Sequence, residues 1–470
     1  MDSDDFLPEM PEVDVLLAAL GPAARVAYAP PNIYPMSAPR FRPEPAAPRC
    51  RPAGNTLGIY VHVPFCNYRC TFCFYATRLT PSADEMRRYV RAIERELEWV
   101  EPGTRLAQFY CGGGTPTALP AELLDRLLTS VFARVVNRGD DVHTVECSPE
   151  SLTAAHVEVL RKHAIGRVSM GVQSLQGRVQ TTVQRVHSAQ RVFESCDALI
   201  SAGLMVNVDL IYGLPGQTES SFCDDFTALA ERGVHSFTAY NLRVNERTPV
   251  GRALAEHERL DLQRLVRWRS TIRAHAARHG FVPTRWHTFK RCDSLTAADV
   301  AGRYRDNTGQ GDQFGVGCSA RSRLSNVVYR NQSRYDKYLD RIERCESPVE
   351  EAFELGPADR RVRYVALTLG DGEPLCRDAY ARELGSELDD DYAALLDALA
   401  DAGLIHDDGL QITLSPPGQL VYDLVTRAFY PEHVRHWLQR RQQLAGTAAN
   451  LRTSPGSFHQ QQFTSRSVSD

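Results

Sequence analysis

From Leu57 onward the chain alternates between two hydrophobic patterns. Short runs rich in β-branched and aromatic residues occur at LGIYVHV, LAQFYCG, VHTVECS, RVSMGVQ, MVNVDLIYG and SFTAYNL. They lack strict polar alternation, as expected of strands covered on both faces. Between them lie segments of helical period. ADEMRRYVRAIERELEWV sets Met86, Val90, Ile93, Leu97 and Val100 on one face. AELLDRLLTSVFARV, TAAHVEVLRKHA, RVFESCDALISAG and ESSFCDDFTALAERG behave alike, and two of them run into Gly203 and Gly233, which suit C-terminal caps. Six strands alternating with helices predict right-handed βαβ units on a parallel sheet. Periodicity leaves open whether that α/β sheet is doubly wound or a partial barrel.

The flanks read differently. Residues 1–55 are rich in Pro and Ala and predict an irregular arm; residues 56–345 hold the α/β unit. Over 350–440, RRVRYVALTLG and DYAALLDALADAGLI predict helices, and GLQITLSPPGQLVYDLV predicts a short wing followed by a helix. The result is a compact, mostly helical, winged-helix-like domain, read as packing or lid because its ELDDDY stretch is unlike a DNA-reading surface. Residues 445–470 are polar and poor in large apolar side chains, which predicts disorder.

Composition narrows the function classes. With 470 residues, 43% hydrophobic and 24% charged, the chain can bury a substantial core. A net charge of −4 argues against nucleic acid or an anionic membrane as partner. No run approaches the roughly 18 apolar residues of a membrane span. The acidic start MDSDDFLPEMPEVD is unlike a secretory leader, so a cytoplasmic location and a monomer are expected. In a reducing compartment, clustered members of the 12 cysteines point to metal or catalysis rather than disulfides. Isolated ones such as Cys111, Cys147 and Cys196 read as small core residues.

Ligands of parallel α/β folds bind at the C-terminal ends of strands, and the polar exceptions of this chain fall there. Cys66, Cys70 and Cys73 follow the first strand, and Gly112-Gly113-Gly114-Thr115-Pro116 follows the second. Glu146, Gln173, Asp209, and Tyr240 with Asn241 close the third to sixth. One site built by all six units is the economical account. Structural zinc wants four ligands, usually in two separated pairs. Three thiols spaced C-x3-C-x2-C, with no pair downstream, suit a [4Fe–4S] cluster whose fourth iron stays open. Tyr60, Phe65, Tyr68, Phe72 and Phe74 would shield it.

The C-x3-C-x2-C loop with GGGTPT resembles radical S-adenosylmethionine (SAM) enzymes. The wording YVHVPFC, VECSPE, SMGVQS, DLIYGLPGQT and DQFGVGCSARS resembles their oxygen-independent coproporphyrinogen III oxidase branch, over about residues 57–430. The resemblance implies a partial (β/α)6 barrel, a [4Fe–4S] cluster on Cys66, Cys70 and Cys73, and SAM on its open iron. It implies Tyr60, Gly113 and Glu146 around a first SAM molecule. Phe72, Gly114, Thr115, Gln173, Arg185 and Asp209 match the site of a second. An electron donor such as flavodoxin or ferredoxin is implied as well.

Departures from that branch shape the functional expectation. Tyr75 stands where the oxidases have a further cysteine, and is taken as a candidate catalytic residue beside the three thiols. The arm has NIYPMSAP in place of a YTSYPT-like motif, and Arg321 and Arg243 replace smaller or apolar residues. These differences favour similarity to class C radical methyltransferases and cyclopropanases. Such an enzyme would transfer a methyl or methylene group to an sp2 carbon of a small secondary-metabolite intermediate, with a partner methyltransferase as a further possible associate. The alternatives are an anaerobic tetrapyrrole enzyme (a coproporphyrinogen III dehydrogenase or a haem-degrading methyltransferase) and a non-enzymatic haem chaperone. The nearest stretch to the chaperones' HNxxYW-like motif, WHTFKR, does not match it.

Overall fold

The computed structural model describes residues 42–43, 56–136, 142–244, 248–254, 260–294, 311–432 and 434–435. Nearly all of the arm and the whole 445–470 tail lie outside the described residues. All six predicted strands form: β1 (Thr56–Val63), β2 (Thr104–Gly113), β3 (Thr144–Cys147), β4 (Arg167–Gln173), β5 (Met205–Tyr212) and β6 (Ser236–Asn241). They pair in sequence order and parallel throughout. Each is followed by a helix: α1 (Ala83–Leu97), α2 (Ala121–Phe132), α3 (Ala154–Lys162), α4 (Ala189–Ser201), α5 (Glu219–Glu231) and α6 (Leu262–Arg278).

The sheet does not close. Antiparallel β7 (Phe281–Arg285) and β8 (Thr288–Arg291) extend it beyond β6. On the other side β9 (Gln313–Val316) runs parallel to β1, and β10 (Arg321–Leu324), β11 (Val327–Asn331) and β12 (Val349–Glu354) continue antiparallel. The fold is therefore a partial (β/α)6 barrel. The sheet face turned to the helices is dry, as Val61, Val63, Phe109, Val145, Val168, Val208 and Phe237 share it and are all fully buried.

Local chemistry fixes the element ends. Ser82 and Glu85 form a reciprocal capping box that starts α1. That helix then buries Tyr89, Val90, Ile93 and Leu97. It also carries Glu96, only 1% exposed, whose carboxylate accepts from Gly317 N–H (2.8 Å), Asn331 Nδ2 (2.6 Å) and the Tyr338 hydroxyl (2.6 Å). Thus α1 pins the loop that leaves β9.

Beyond α7 (Tyr335–Glu343) a second core gathers α8 (Pro357–Gly370), α9 (Arg377–Leu384), α10 (Leu388–Asp401) and α11 (Tyr422–Ala428). These surround a small antiparallel sheet of β13 (Leu375–Cys376), β14 (Ile405–Asp407) and β15 (Gln411–Leu414). The acidic stretch is spent internally. Asp389 accepts from Arg377 (3.0 Å) and Asp391 from Arg361 (2.6 Å) and the Tyr380 hydroxyl (2.8 Å), at the helix end that favours negative charge. Among the described residues no helix is long and apolar enough to cross a membrane.

Candidate functional site

One cavity of about 560 Å³ opens at the C-terminal rim of the strands. Its lining brings together every residue singled out as a site candidate: Cys66, Cys70, Cys73 and Tyr75; Tyr60, Gly113 and Glu146; Phe72, Gly114, Thr115, Gln173, Arg185 and Asp209. Parallel pairing puts all the strand ends on one side, so residues separated by more than a hundred positions converge.

The cysteine loop is held by main-chain bonds. Gly114 N–H donates to Val63 O (2.7 Å), Thr115 N–H to Phe65 O (2.9 Å), and Cys73 N–H turns back to Cys70 O (3.1 Å). The glycines make this possible, in a way their motif does not reveal. A Cβ on Gly114 would lie 2.7 Å from Phe65 O, and one on Gly113 (φ +112°) would lie 2.5 Å from the His62 ring. The clearance is used first by the protein itself. Burial pushes the Cys66 thiol up to about 11, and the Cys73 thiol also upward. Metal ligation must therefore displace protons from this loop.

Around the thiols, Arg185 is the main cation. Its Nη1 donates to Cys70 Sγ (3.5 Å), and Nη2 donates to the Gly171 carbonyl. Its guanidinium lies 5.9 Å from the Tyr68 ring centre. Glu150 completes this corner. Burial raises its pKa, but facing His187 (Nδ1 to Oε2, 3.4 Å), Arg185 and Tyr68 outweighs that and brings it down to about 2. Glu146 accepts from the Tyr110 hydroxyl (2.6 Å) and Gly113 N–H (3.0 Å). Asp209 accepts from Ser169 Oγ (3.1 Å) and Asn207 Nδ2 (2.8 Å). Gln173 sits at φ +71°, a costly conformation for a residue with a side chain, and its buried Oε1 has no hydrogen-bond partner among the described residues.

The rest of the wall is aromatic, drawn from the end of the cysteine loop and from distant parts of the chain. Tyr75, 52% exposed, faces the cavity and stacks on Phe74 (4.7 Å between ring centres). Opposite, His287 stacks on Tyr422 (5.9 Å) and lies near Tyr240 (5.7 Å), while Tyr422 OH and His287 Nδ1 are 3.3 Å apart. Arg243, Arg285, Asp371 and Tyr430 complete this end. Sequence reasoning missed Glu150, Arg285, His287 and Tyr422. VECSPE and WHTFKR held signals for Glu150 and for His287, whereas nothing near Tyr422 marks it as a cavity residue.

The donor set fits the cofactors of the expected chemistry. Three thiols lie on one loop, yet no three His, Cys, Asp or Glu side chains among the described residues converge on a single ion. That spread suits a cluster, three of whose irons each take one thiolate, better than mononuclear zinc. The orphaned Gln173 Oε1 supplies an acceptor for a polar ligand.

Comparison with known proteins bears on the rest. A family model described as the radical SAM superfamily matches residues 60–229. A haem chaperone, HemW, of Mycobacterium tuberculosis is 30% identical over 388 residues, covering 80% of this chain and 95% of its own. The oxygen-independent coproporphyrinogen III oxidase of Paracoccus denitrificans is 26% identical over 417 residues, covering 84% and 92%. Among solved structures, the coproporphyrinogen III oxidase HemN of Escherichia coli superposes with a TM-score of 0.72 at 24% identity, over 82% of this chain and 91% of that one.

These relatives overturn the expectation of methyl or methylene transfer to a secondary-metabolite intermediate, and with it the methyltransferase or cyclopropanase assignment. Tetrapyrrole proteins match the chain over four-fifths of its length. The physical reason lies in where the departures sit. Arg321 begins β10, away from the cavity lining, while Tyr75 and Arg243 are wall residues that can tune a site without changing its reaction class.

Proposed function

The chain belongs to the radical SAM superfamily, in its oxygen-independent coproporphyrinogen III oxidase-like branch, and on that premise we propose that it acts on a tetrapyrrole bearing carboxylate side chains. One observation carries this reading: a single cavity is lined by the three cysteines together with aromatic rings and arginines. The macrocycle would lie against Tyr240, His287 and Tyr422, with its acidic edge toward Arg243.

As a radical SAM protein the chain binds a [4Fe–4S] cluster and SAM, which together supply a carbon-centred radical able to take a hydrogen atom from substrate. In our reading Cys66, Cys70 and Cys73 hold the cluster. Tyr60, Gly113 and Glu146 border the SAM site, with Glu146 as hydrogen-bond acceptor. Gln173, Arg185 and Asp209, with Phe72, Gly114 and Thr115, line its continuation toward the aromatic wall. Arg185 orients Cys70 and neutralises thiolate charge. The rings exclude water from the reacting side chain. The reaction class is oxidative loss of carbon dioxide from that side chain: one hydrogen atom goes to the SAM-derived radical and the remaining electron to a one-electron acceptor, while a small reductant protein feeds the cluster.

A second reading, haem binding and delivery, is favoured by the 30% match to a haem chaperone. Anaerobically reconstituted protein with SAM, reductant and coproporphyrinogen III separates the two. The expected result is 5′-deoxyadenosine, with a product lighter by carbon dioxide and two hydrogen atoms per converted side chain. Both vanish in Cys66→Ala, Cys70→Ala and Cys73→Ala. Stoichiometric haem binding without turnover selects the chaperone. Neither binding nor turnover, or S-adenosylhomocysteine among the products, overturns the tetrapyrrole reading.

A further inference from the structure

We propose that Arg243 is the anchor for a substrate carboxylate, and that it delivers the side chain carrying that carboxylate to the cysteine loop. The identity of the ligand rests on the tetrapyrrole reading; the anchoring role rests on the geometry of the cavity. Four arginines line it: Arg69, Arg185, Arg243 and Arg285. Arg185 is committed to Cys70 and the Gly171 carbonyl. Arg285 lies 3.3 Å from Asp371, both nearly buried. Arg69 is exposed.

Arg243 differs from all three. It is half-buried two positions beyond the end of β6, and among the described residues it has no hydrogen-bond or ion-pair partner. Its guanidinium carbon lies 6.0 Å from the centre of the Phe74 ring. A ring beside a guanidinium holds it by cation–π attraction and leaves N–H donors to form two parallel bonds to a carboxylate. The cavity's own acids face other groups: Glu146 faces Tyr110 and Gly113, Glu150 faces His187, Asp209 faces Ser169 and Asn207, and Asp371 faces Arg285. An unpaired cation in a partly dry wall is unfavourable unless an anion arrives with the ligand.

Position gives the consequence. Phe74 directly follows Cys73 and stacks on Tyr75. A carboxylate held at Arg243 is therefore beside the cysteine loop, while the rest of the macrocycle extends toward His287 and Tyr422. Such an arrangement presents the acidic side chain, rather than the centre of the macrocycle, to the radical chemistry.

The test compares cluster-loaded wild type, Arg243→Gln and Arg243→Lys for binding of coproporphyrin III and of its uncharged tetra-amide, followed by absorbance titration. Wild type is expected to prefer the acid. Arg243→Gln should weaken acid binding roughly ten- to a hundredfold, the scale of a charged hydrogen-bond pair, while leaving amide binding unmoved. Arg243→Lys should recover part of the loss. Retained amide binding also shows that the variant is folded. Equal acid affinity in wild type and Arg243→Gln overturns the anchor while the tetrapyrrole reading stands. Wild type that binds neither porphyrin overturns that reading, and the anchor falls with it.

Discussion

Cys66, Cys70 and Cys73 depend on a neighbour that carries no chemistry of its own. Gly114 lets the end of β2 close on the cysteine loop, and the atoms that a Cβ would meet are backbone: Phe65 O at 2.7 Å and Pro64 C at 2.8 Å. Backbone cannot rotate out of the way as a side chain does. Gly114→Ala should therefore cost about 1–3 kcal/mol through overpacking and spread the loop. Iron per chain after reconstitution should fall well below wild type while the far-ultraviolet spectrum stays the same. Full iron loading in this variant would show that the loop adapts. At this scale the thiols and glycines were legible because their spacing is local, as were Glu146 and Asp209 at strand ends. The use of the glycine clearance was not, since His62, Phe65 and Glu146 fill it only after β1, β2 and β3 pair.

At the scale of elements, α1 shows how a single buried carboxyl ties a helix to a distant loop. Desolvation raises the Glu96 pKa, and donors from Tyr338, Gly317 and Asn331 only partly offset it, leaving it at about 7. The folded chain thus binds a proton more tightly than the unfolded one. The stabilisation is fully present below the unfolded value near 4.5 and is lost as pH rises through about 7. The shift corresponds to about 3 kcal/mol. Urea midpoints of wild type should fall across that window relative to Glu96→Gln, which cannot titrate; parallel curves would contradict the assignment. The six strands and their crossover helices were readable from period and length alone. Glu96 was not, because the sequence places it on the helix without saying that β9 would return beside β1.

The whole molecule is joined by an ion pair that spans both cores. Arg269 of α6 donates to Asp423 of α11 (2.8 and 2.9 Å), to Leu420 O (2.7 Å), and to the Tyr212 hydroxyl at the end of β5 (3.1 Å). Both partners are buried, and the Asp423 carboxyl, though burial opposes ionisation, is held below its ordinary range by Arg269. Asp423→Ala leaves the arginine charge buried and should cost about 3–5 kcal/mol. The thermal midpoint should drop, and substrate affinity with it, since Tyr422 loses its support. An Arg269→Met, Asp423→Leu double variant should recover most of the stability; failure to do so would show that the pair does more than satisfy itself.

The sequence by itself determined the alternating strands and helices, the cysteine loop, the rim on which polar residues gather and the superfamily. Each of these is written in local period, spacing or motif. Only the tertiary structure decided what the rim faces. Arg285 and His287 reach the cavity because the β7–β8 hairpin pairs beside β6, and Tyr422 and Tyr430 because α11 docks near the end of β5, contacts that span more than a hundred residues. Tyr75 and Arg243, which in sequence looked like signs of a different reaction, became two parts of one wall. A side chain's meaning at a site depends on what stands opposite it, and no local pattern encodes that.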